Sequence, residues 1–116
     1  MADAQPDSRL PAHLEISAMI RLAEAHGGFA TVLAKGERDA GTIALVTLKN
    51  GQNAQLYERM PQPDGTRAWT LSRSEDTENK TEFSDYLARR QHQDRDLWIL
   101  EADIADVARF IETLPH

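Results

Sequence analysis

The segment Thr42–Lys49 is apolar at both of its alternating sets of positions. One set contains Ile43 and Leu45, and the other contains Ala44 and Val46. Successive side chains of a strand point to opposite faces of a sheet, so a strand with this pattern is buried on both faces. The segment therefore predicts a central strand within a larger sheet.

Three amphipathic helices are predicted beside this strand. Between Leu14 and His26, apolar side chains recur every three or four residues, and Gly27 marks a left-handed end. Glu15 and Arg21 are assigned to the polar face of this helix. The other two helices have their predicted starts and apolar stripes at Asn79 with Glu82, Phe83, Tyr86 and Leu87, and at Asp103 with Val107, Phe110, Ile111 and Leu114.

Four more segments have the composition of strands. They are Phe29–Lys35, Ala54–Met60, Arg67–Ser72 and Leu97–Ala102. The loop Gly36–Gly41 suits an antiparallel hairpin, and Asn50-Gly51 predicts a tight turn. We therefore predict an α+β fold in the order α-β-β-β-β-α-β-α, mainly an antiparallel meander of four strands with a further strand, packed by three helices. The pattern leaves the direction of the last strand open.

Length and composition limit the class of protein. A chain of 116 residues fits one domain, which we place at residues 10–116 after a disordered polar tail at residues 1–9. The chain contains no cysteine, which excludes disulfides and thiolate metal sites and suits a reducing cytosol. The polar start is not typical of a secretory signal, and no apolar run approaches the roughly 20 residues that cross a bilayer. We expect a cytoplasmic protein.

The charge of the chain disfavours one class of partner, and its motifs indicate no cofactor. Its formal net charge is −6, which repels phosphate backbones, so nucleic acid is not the expected partner. Neither a phosphate-binding loop nor a dinucleotide glycine pattern occurs, and no cofactor is predicted. An unknown protein or small ligand is the expected partner, with no membrane contact.

Three motifs are candidates for binding, and each has a simpler structural interpretation. Lys35 and Arg38, with Asp39 beside them, lie in a glycine-bounded loop that either approaches an anion or only closes a hairpin. Arg89 and Arg90 form a basic cluster that either binds phosphate or meets the negative end of a helix dipole.

The third motif places His92, Asp94 and Asp96 before a strand. This set suits a divalent cation, but a solvated turn is the preferred interpretation, and no metal is predicted. Trp98 in the following strand is either a binding anchor or part of the core. The candidate binding residues are therefore Lys35, Arg38, Asp39, Arg89, Arg90, Asp94, Asp96 and Trp98. The convergence of Lys35, Asp39, Arg89 and Asp94 on one concave site would indicate function, and their scatter over the surface would indicate that they only keep the chain soluble.

Several stretches resemble a known family. They include the segments 10–21, 27–36 and 39–43, and the segment 86–90 followed by 94–99. Together they resemble a family of short alphaproteobacterial proteins that is described only as a domain of unknown function, number 1491. The resemblance covers nearly the whole chain. It implies a bacterial, cytoplasmic, stand-alone protein, and it implies no activity and no catalytic residues.

Three hypotheses about function follow. The first is a non-enzymatic binding or accessory protein, because no nucleophile, base and orienting group can be identified together. The second is a fold similar to the restriction-endonuclease-like nucleases, with or without metal-dependent activity. In that case Asp39 and Glu58 are the candidate carboxylates, but Glu58-Arg59-Met60 lacks the lysine that these enzymes use. The third is a homodimer that pairs through the edge strand Arg67–Ser72.

Overall fold

The computed structural model describes residues 10–115, so the predicted tail at residues 1–9 lies outside the described residues. The described chain forms three helices and five strands. In chain order they are α1 (Ala12–Ala25), β1 (Phe29–Ala34), β2 (Ile43–Lys49), β3 (Gln52–Pro61), β4 (Arg67–Ser74), α2 (Lys80–Gln93), β5 (Trp98–Asp103) and α3 (Val107–Thr113). The predicted α+β class and element order are therefore confirmed.

The five strands form one open mixed sheet in the order β1-β5-β2-β3-β4. β5 runs parallel to β2 and antiparallel to β1, which settles the direction that the sequence left open. The strands β2, β3 and β4 form an antiparallel meander of three strands, and β1, the fourth strand predicted for the meander, is not part of it. The central position predicted for β2 is also confirmed.

The predicted hairpin between β1 and β2 is wrong, because β5 lies between these two strands. β5 is buried along most of its length, whereas β1 is largely exposed. A strand that is apolar on both faces removes more apolar surface from water in the middle of a sheet than at its edge. The apolar β5 therefore occupies the inner position and β1 the outer one.

The helices cover the sheet on both faces and create two separate hydrophobic clusters. α1 and α3 pack on the face that carries Leu45 and Leu100. α2 packs through Phe83 on the opposite face, which carries Val46 and Ile99. Among the described residues, no helix combines the length and the apolar character needed to cross a lipid bilayer.

The turns and helix ends were predicted with mixed success. Asn50 and Gly51 both have positive φ, as the predicted tight turn requires, and Gly27 has a φ of 80° at the end of α1. Asp103, however, does not cap α3, because its carboxylate accepts hydrogen bonds from the backbone N–H groups of Asn50 and Gly51, each at 2.9 Å. Asp106 caps α3 instead.

The start of α2 and one face of α1 also differ from expectation. Asn79 is the N-cap residue of α2, but its side chain makes no capping hydrogen bond and accepts one from the Thr81 hydroxyl. Glu15, assigned to the polar face of α1, is instead buried. Its carboxylate forms an ion pair with Arg59 of β3.

A buried hydroxyl in β2 gives a first stability prediction. Thr47 is fully buried, and its hydroxyl has no hydrogen-bond partner among residues 10–115. We expect Thr47→Val to raise the free energy of unfolding by about 1 kcal/mol, because it removes an unsatisfied polar group and keeps the shape. Urea denaturation measures the change, with Thr47→Ser as the control that keeps the hydroxyl. A valine variant no more stable than the wild type would contradict this account.

Candidate functional site

A cleft of about 570 Å³ lies at the end of the sheet where β2 and β4 begin and β3 ends. The start of α1, the loop 36–42 and the end of α2 complete its walls. Its polar lining includes Glu15, Asp39, Glu58, Arg59, Arg67 and Arg90. Leu10 and Met60 also line it and are exposed. The cleft thus combines charges of both signs with apolar side chains at its rim.

The loop 36–42 forms a fixed wall of this cleft. The Glu37 carboxylate accepts hydrogen bonds from the backbone N–H groups of Asp39 and Ala40, which holds the pKa of Glu37 below its usual value. The Glu37 carbonyl accepts a hydrogen bond from the Trp98 indole at 2.7 Å. The first N–H groups of α1 donate to the carbonyls of Arg38 and Asp39. These bonds order the loop before any ligand arrives.

The glycines that bound this loop do not have the positive φ that is common in hairpin loops. Positive φ is found in the described chain at Gly27, Gly51 and Gly65, but not at Gly36 or Gly41. A Cβ atom at Gly36 would lie 2.1 Å from the carbonyl oxygen of Asp96, and one at Gly41 would lie 2.3 Å from the same oxygen. Both glycines are therefore needed for close packing against the backbone just before β5.

Glu58 and Arg90 form an ion pair at the cleft wall. Arg90 Nη2 donates to Glu58 Oε1 at 2.7 Å, and the Ser72 hydroxyl donates to the other carboxylate oxygen at 2.9 Å. The bond from Arg90 holds the pKa of Glu58 below its usual value, although partial burial acts in the opposite direction. The same bond raises the pKa of Arg90. Both groups therefore stay charged at neutral pH.

A second and deeper pair joins α1 to β3. Arg59 donates to both carboxylate oxygens of Glu15, with Nη2 at 3.1 Å from Oε1, and both side chains are only 6% exposed. The Arg59 guanidinium also lies over the Trp69 ring, 4.8 Å from its centroid. The pair was not predicted from the sequence, although Glu15 lies four residues before Met19, on the buried face of α1.

The cleft brings together only two of the eight predicted binding residues, Asp39 and Arg90. The other charged candidates are exposed and do not line it; they are Lys35, Arg38, Arg89, Asp94 and Asp96. Trp98 is buried, with 4% of its surface exposed, so it is a core residue that anchors the loop and not a surface contact. Of Lys35, Asp39, Arg89 and Asp94, only Asp39 lines the cleft, so these four residues do not converge on one concave site.

The other two sequence motifs make the local contacts expected of a turn and of a helix end. The Asp94 carboxylate accepts a hydrogen bond from the Asp96 N–H, as in a simple turn. Among residues 10–115, no group of three or more His, Asp or Glu side chains is arranged to hold a metal ion. Arg90 lies in the last turn of α2, where a cation is stabilised by the helix dipole.

A further cleft of about 670 Å³ lies at the opposite end of the sheet, near the β2–β3 turn. Its lining includes Lys49, Asn53 and Asp106 and none of the predicted binding residues. Asp106 is already engaged as the cap of α3. We therefore place the candidate site in the cleft at Asp39 and Arg90.

Comparison with solved structures identifies close relatives of this fold. A crystal structure of a DUF1491 family protein from Caulobacter crescentus is 30% identical, covers 92% of this chain and 98% of its own, and has a TM-score of 0.76. An NMR structure of a DUF1491 family protein from the same organism is 30% identical over 91% of this chain and 94% of its own, with a TM-score of 0.72.

A solution structure of a protein from Agrobacterium tumefaciens is 26% identical, covers 93% of this chain and 97% of its own, and has a TM-score of 0.72. A search of curated proteins gives no match. The family of proteins of unknown function DUF1491 matches residues 10–112, which confirms the resemblance seen in the sequence. This chain therefore belongs to the DUF1491 family.

Proposed function

We propose that this protein is a non-enzymatic binding or accessory protein of the cytoplasm whose cleft at Asp39 and Arg90 holds a protein segment or small ligand. The observation that carries the proposal is the meeting of these two residues, from distant parts of the chain, in one cleft with apolar side chains at its rim. Binding sites commonly combine a few fixed polar groups with apolar walls.

Arg90 gives the site its chemical preference. Its side chain is 27% exposed, and two of its five N–H groups donate to Tyr86 and Glu58. Its remaining N–H groups have no hydrogen-bond partner among residues 10–115, and we infer that they receive an acceptor in the cleft. Since arginine binds carboxylates and phosphates through charge-assisted hydrogen bonds, we infer a ligand with an anionic group and an apolar body that contacts Met60 and Leu10.

The state of the carboxylates favours binding over catalysis. Glu15 and Glu58 are each paired with an arginine, and the pKa of Glu58 is lowered. A general base works best with a pKa near the operating pH, so a lowered value is the wrong direction for that role. The fixed loop instead supports recognition, because a preorganised wall loses little entropy when a ligand binds.

Affinity purification from an alphaproteobacterial cell extract tests the proposal with two neighbouring variants. We expect a partner or ligand retained by the wild type to be lost with Arg90→Gln and retained with Arg89→Gln. Both variants remove one positive charge from α2, but only Arg90 lines the cleft. Met60→Ser, at an exposed rim position, probes the apolar part and is expected to weaken retention.

Circular dichroism of each variant separates loss of binding from loss of folding. Equal retention by the Arg89 and Arg90 variants, with both folded, would contradict the proposal. Recovery of the chain alone from the extract, at all salt concentrations tested, would also contradict the proposal. A partner lost only with Arg89→Gln would move the site to the exposed face of α2.

The nuclease hypothesis is the second candidate, because Asp39 and Glu58 both line the cleft. Against it, the Glu58 carboxylate already accepts hydrogen bonds from Arg90 and Ser72. A cleavage assay with Mg²⁺ on plasmid and single-stranded DNA separates the two candidates. Cleavage that is abolished by Glu58→Ala would reverse our ranking, and we expect none above the buffer control.

A further inference from the structure

β1 is an exposed apolar strand at one edge of the sheet. Within residues 10–115, β1 pairs with β5 on one side only, because it is the first strand of the sheet. Phe29, Val32 and Leu33 are 60%, 37% and 47% exposed, and the six residues FATVLA include no charged side chain. In a chain with 28% charged residues, this is an unusual strand to leave against water.

The opposite edge strand, β4, carries charged side chains that protect it from pairing with another chain. It carries Arg67 and Arg73, and the Arg73 guanidinium lies 3.8 Å from the centroid of the Tyr86 ring of α2. Leu71 is 46% exposed there, so it matches Leu33 in exposure on an edge that contains charges. Charged side chains on an edge strand oppose pairing with another strand.

We propose that β1 pairs antiparallel with β1 of a second copy of this chain about a two-fold axis, which joins the two sheets into one of ten strands. This surface is separate from the cleft of the proposed function. The sequence suggested a dimer that pairs through Arg67–Ser72. The dimer proposed here pairs through β1, at the opposite edge of the sheet. Pairing supplies hydrogen-bond partners to the outward backbone groups of β1 and covers its three exposed apolar side chains.

The charge distribution favours a second copy as the occupant. Each chain carries a net charge of −6, so two copies repel at most orientations, but the β1 edges meet without like charges on the strands. Lys35 follows β1, whereas Glu101 and Asp103 lie beside its first half, opposite Thr31 and Phe29 in the register with β5. Antiparallel pairing therefore brings Lys35 of each copy to the end of the interface that carries Glu101 and Asp103 of the other.

Glu101 pairs with Thr31 of β1, one strand in from the open edge. Partial burial raises the pKa of Glu101, and the nearby charge of Asp103 raises it further. Asp103 already accepts hydrogen bonds from the N–H groups of Asn50 and Gly51, so Glu101 is the carboxylate that a cation at this edge would approach. The second copy supplies that cation through Lys35.

The small size of the β1 interface predicts a weak dimer. A stable interface covers about 800 Å² on each partner, and six residues of one strand with three apolar side chains cover less. A bulge between Val32 and Ala34 also limits the regular part of β1 to its first four residues. We therefore expect a reversible dimer with a dissociation constant on the order of 10–100 μM.

Sedimentation velocity of the full chain from about 1 to 500 μM tests this inference across the range expected for so small an interface. We expect a concentration-dependent shift from monomer to dimer in the wild type. Leu33→Lys and Phe29→Lys, on exposed positions of β1, should each raise the dissociation constant at least about tenfold, because the axis places two new charges in the interface. Leu71→Lys, the matched change on β4, should leave it unchanged.

A monomer at every concentration would overturn the inference, and so would a dimer that Leu71→Lys disrupts and Leu33→Lys does not. Hydrogen exchange gives a second readout in the wild-type chain and does not depend on how the variants fold. The β1 amides should become protected as concentration rises. A dimer with no change in their exchange uses another surface and equally rejects the β1 interface.

Discussion

Replacing Arg59 with alanine is expected to lower the free energy of unfolding by about 3–5 kcal/mol. Glu15 and Arg59 are both 6% exposed, and their bidentate pair joins α1 to β3. Removing the arginine leaves the Glu15 carboxylate buried without its counter-charge, which costs far more than the loss of an exposed salt bridge. Urea denaturation followed by circular dichroism measures the change.

A double variant separates the cost of the orphaned charge from the value of the pair. Glu15→Leu combined with Arg59→Met replaces both charges with apolar side chains, and we expect it to recover most of the lost stability. If the double variant is as unstable as Arg59→Ala, the loss comes from packing over Trp69 and not from an unpaired carboxylate. That result would contradict our description of the pair as a buried charge network.

Gly36→Ala is expected to destabilise the fold by about 3 kcal/mol, near the upper end of the cost of overpacking. The new Cβ atom would lie 2.1 Å from the Asp96 carbonyl oxygen. That carbonyl accepts a hydrogen bond from the Glu37 N–H, so it belongs to backbone that cannot move without breaking the contact between the loop and β5. Thermal and urea denaturation both measure the effect.

Gly65→Ala is the control for this prediction. Gly65 has a φ of 89° in the β3–β4 turn, and a Cβ atom there meets nothing within 4 Å. Its substitution therefore carries only the backbone penalty of a left-handed residue, about 1–2 kcal/mol. Equal losses from the two substitutions would show that the loop 36–42 adapts easily and is not a fixed wall of the cleft.

Local patterns were enough to identify every helix and strand of the described chain. The double apolar alternation at 42–49 correctly indicated an inner strand, and Gly27 and Asn50-Gly51 marked a helix end and a turn. These features depend on contacts between neighbours in sequence. They are specified by residue type and short-range geometry, which is why the sequence alone was sufficient.

The order of the strands could not be obtained in the same way. Both β1 and β5 are apolar, and period-two alternation shows that a strand is buried without showing which strand is its neighbour. The short loop 36–42 favoured a hairpin, but its glycines instead allow it to pack against the backbone at Asp96. β5, and not β1, pairs with β2 because segments that are distant in the sequence compete for the buried positions of the sheet.

The candidate site was predicted in part for a similar reason. Asp39 and Arg90 stood out because they lie in a glycine-bounded loop and a basic cluster. Glu58 was considered only as a carboxylate of the nuclease hypothesis, and Arg59 was given no role, because charged residues in a strand that alternates openly are ordinarily solvated. In the structure, Glu58 reaches Arg90 and Arg59 reaches α1, on opposite faces of β3. Such pairs emerge only when the helices are packed on the sheet.

The most direct test of the proposed function is an NMR titration of the isotope-labelled chain with hexanoate, a small carboxylate with an apolar body. We predict saturable shifts of the backbone amides at residues 41–43 and 58–60 and at Arg90, which line or adjoin the cleft. Arg90→Gln should weaken this binding at least about tenfold, as expected for one charge-assisted hydrogen bond, while Arg89→Gln should not. Shifts elsewhere on the surface, or equal binding by both variants, would contradict a binding cleft at Asp39 and Arg90.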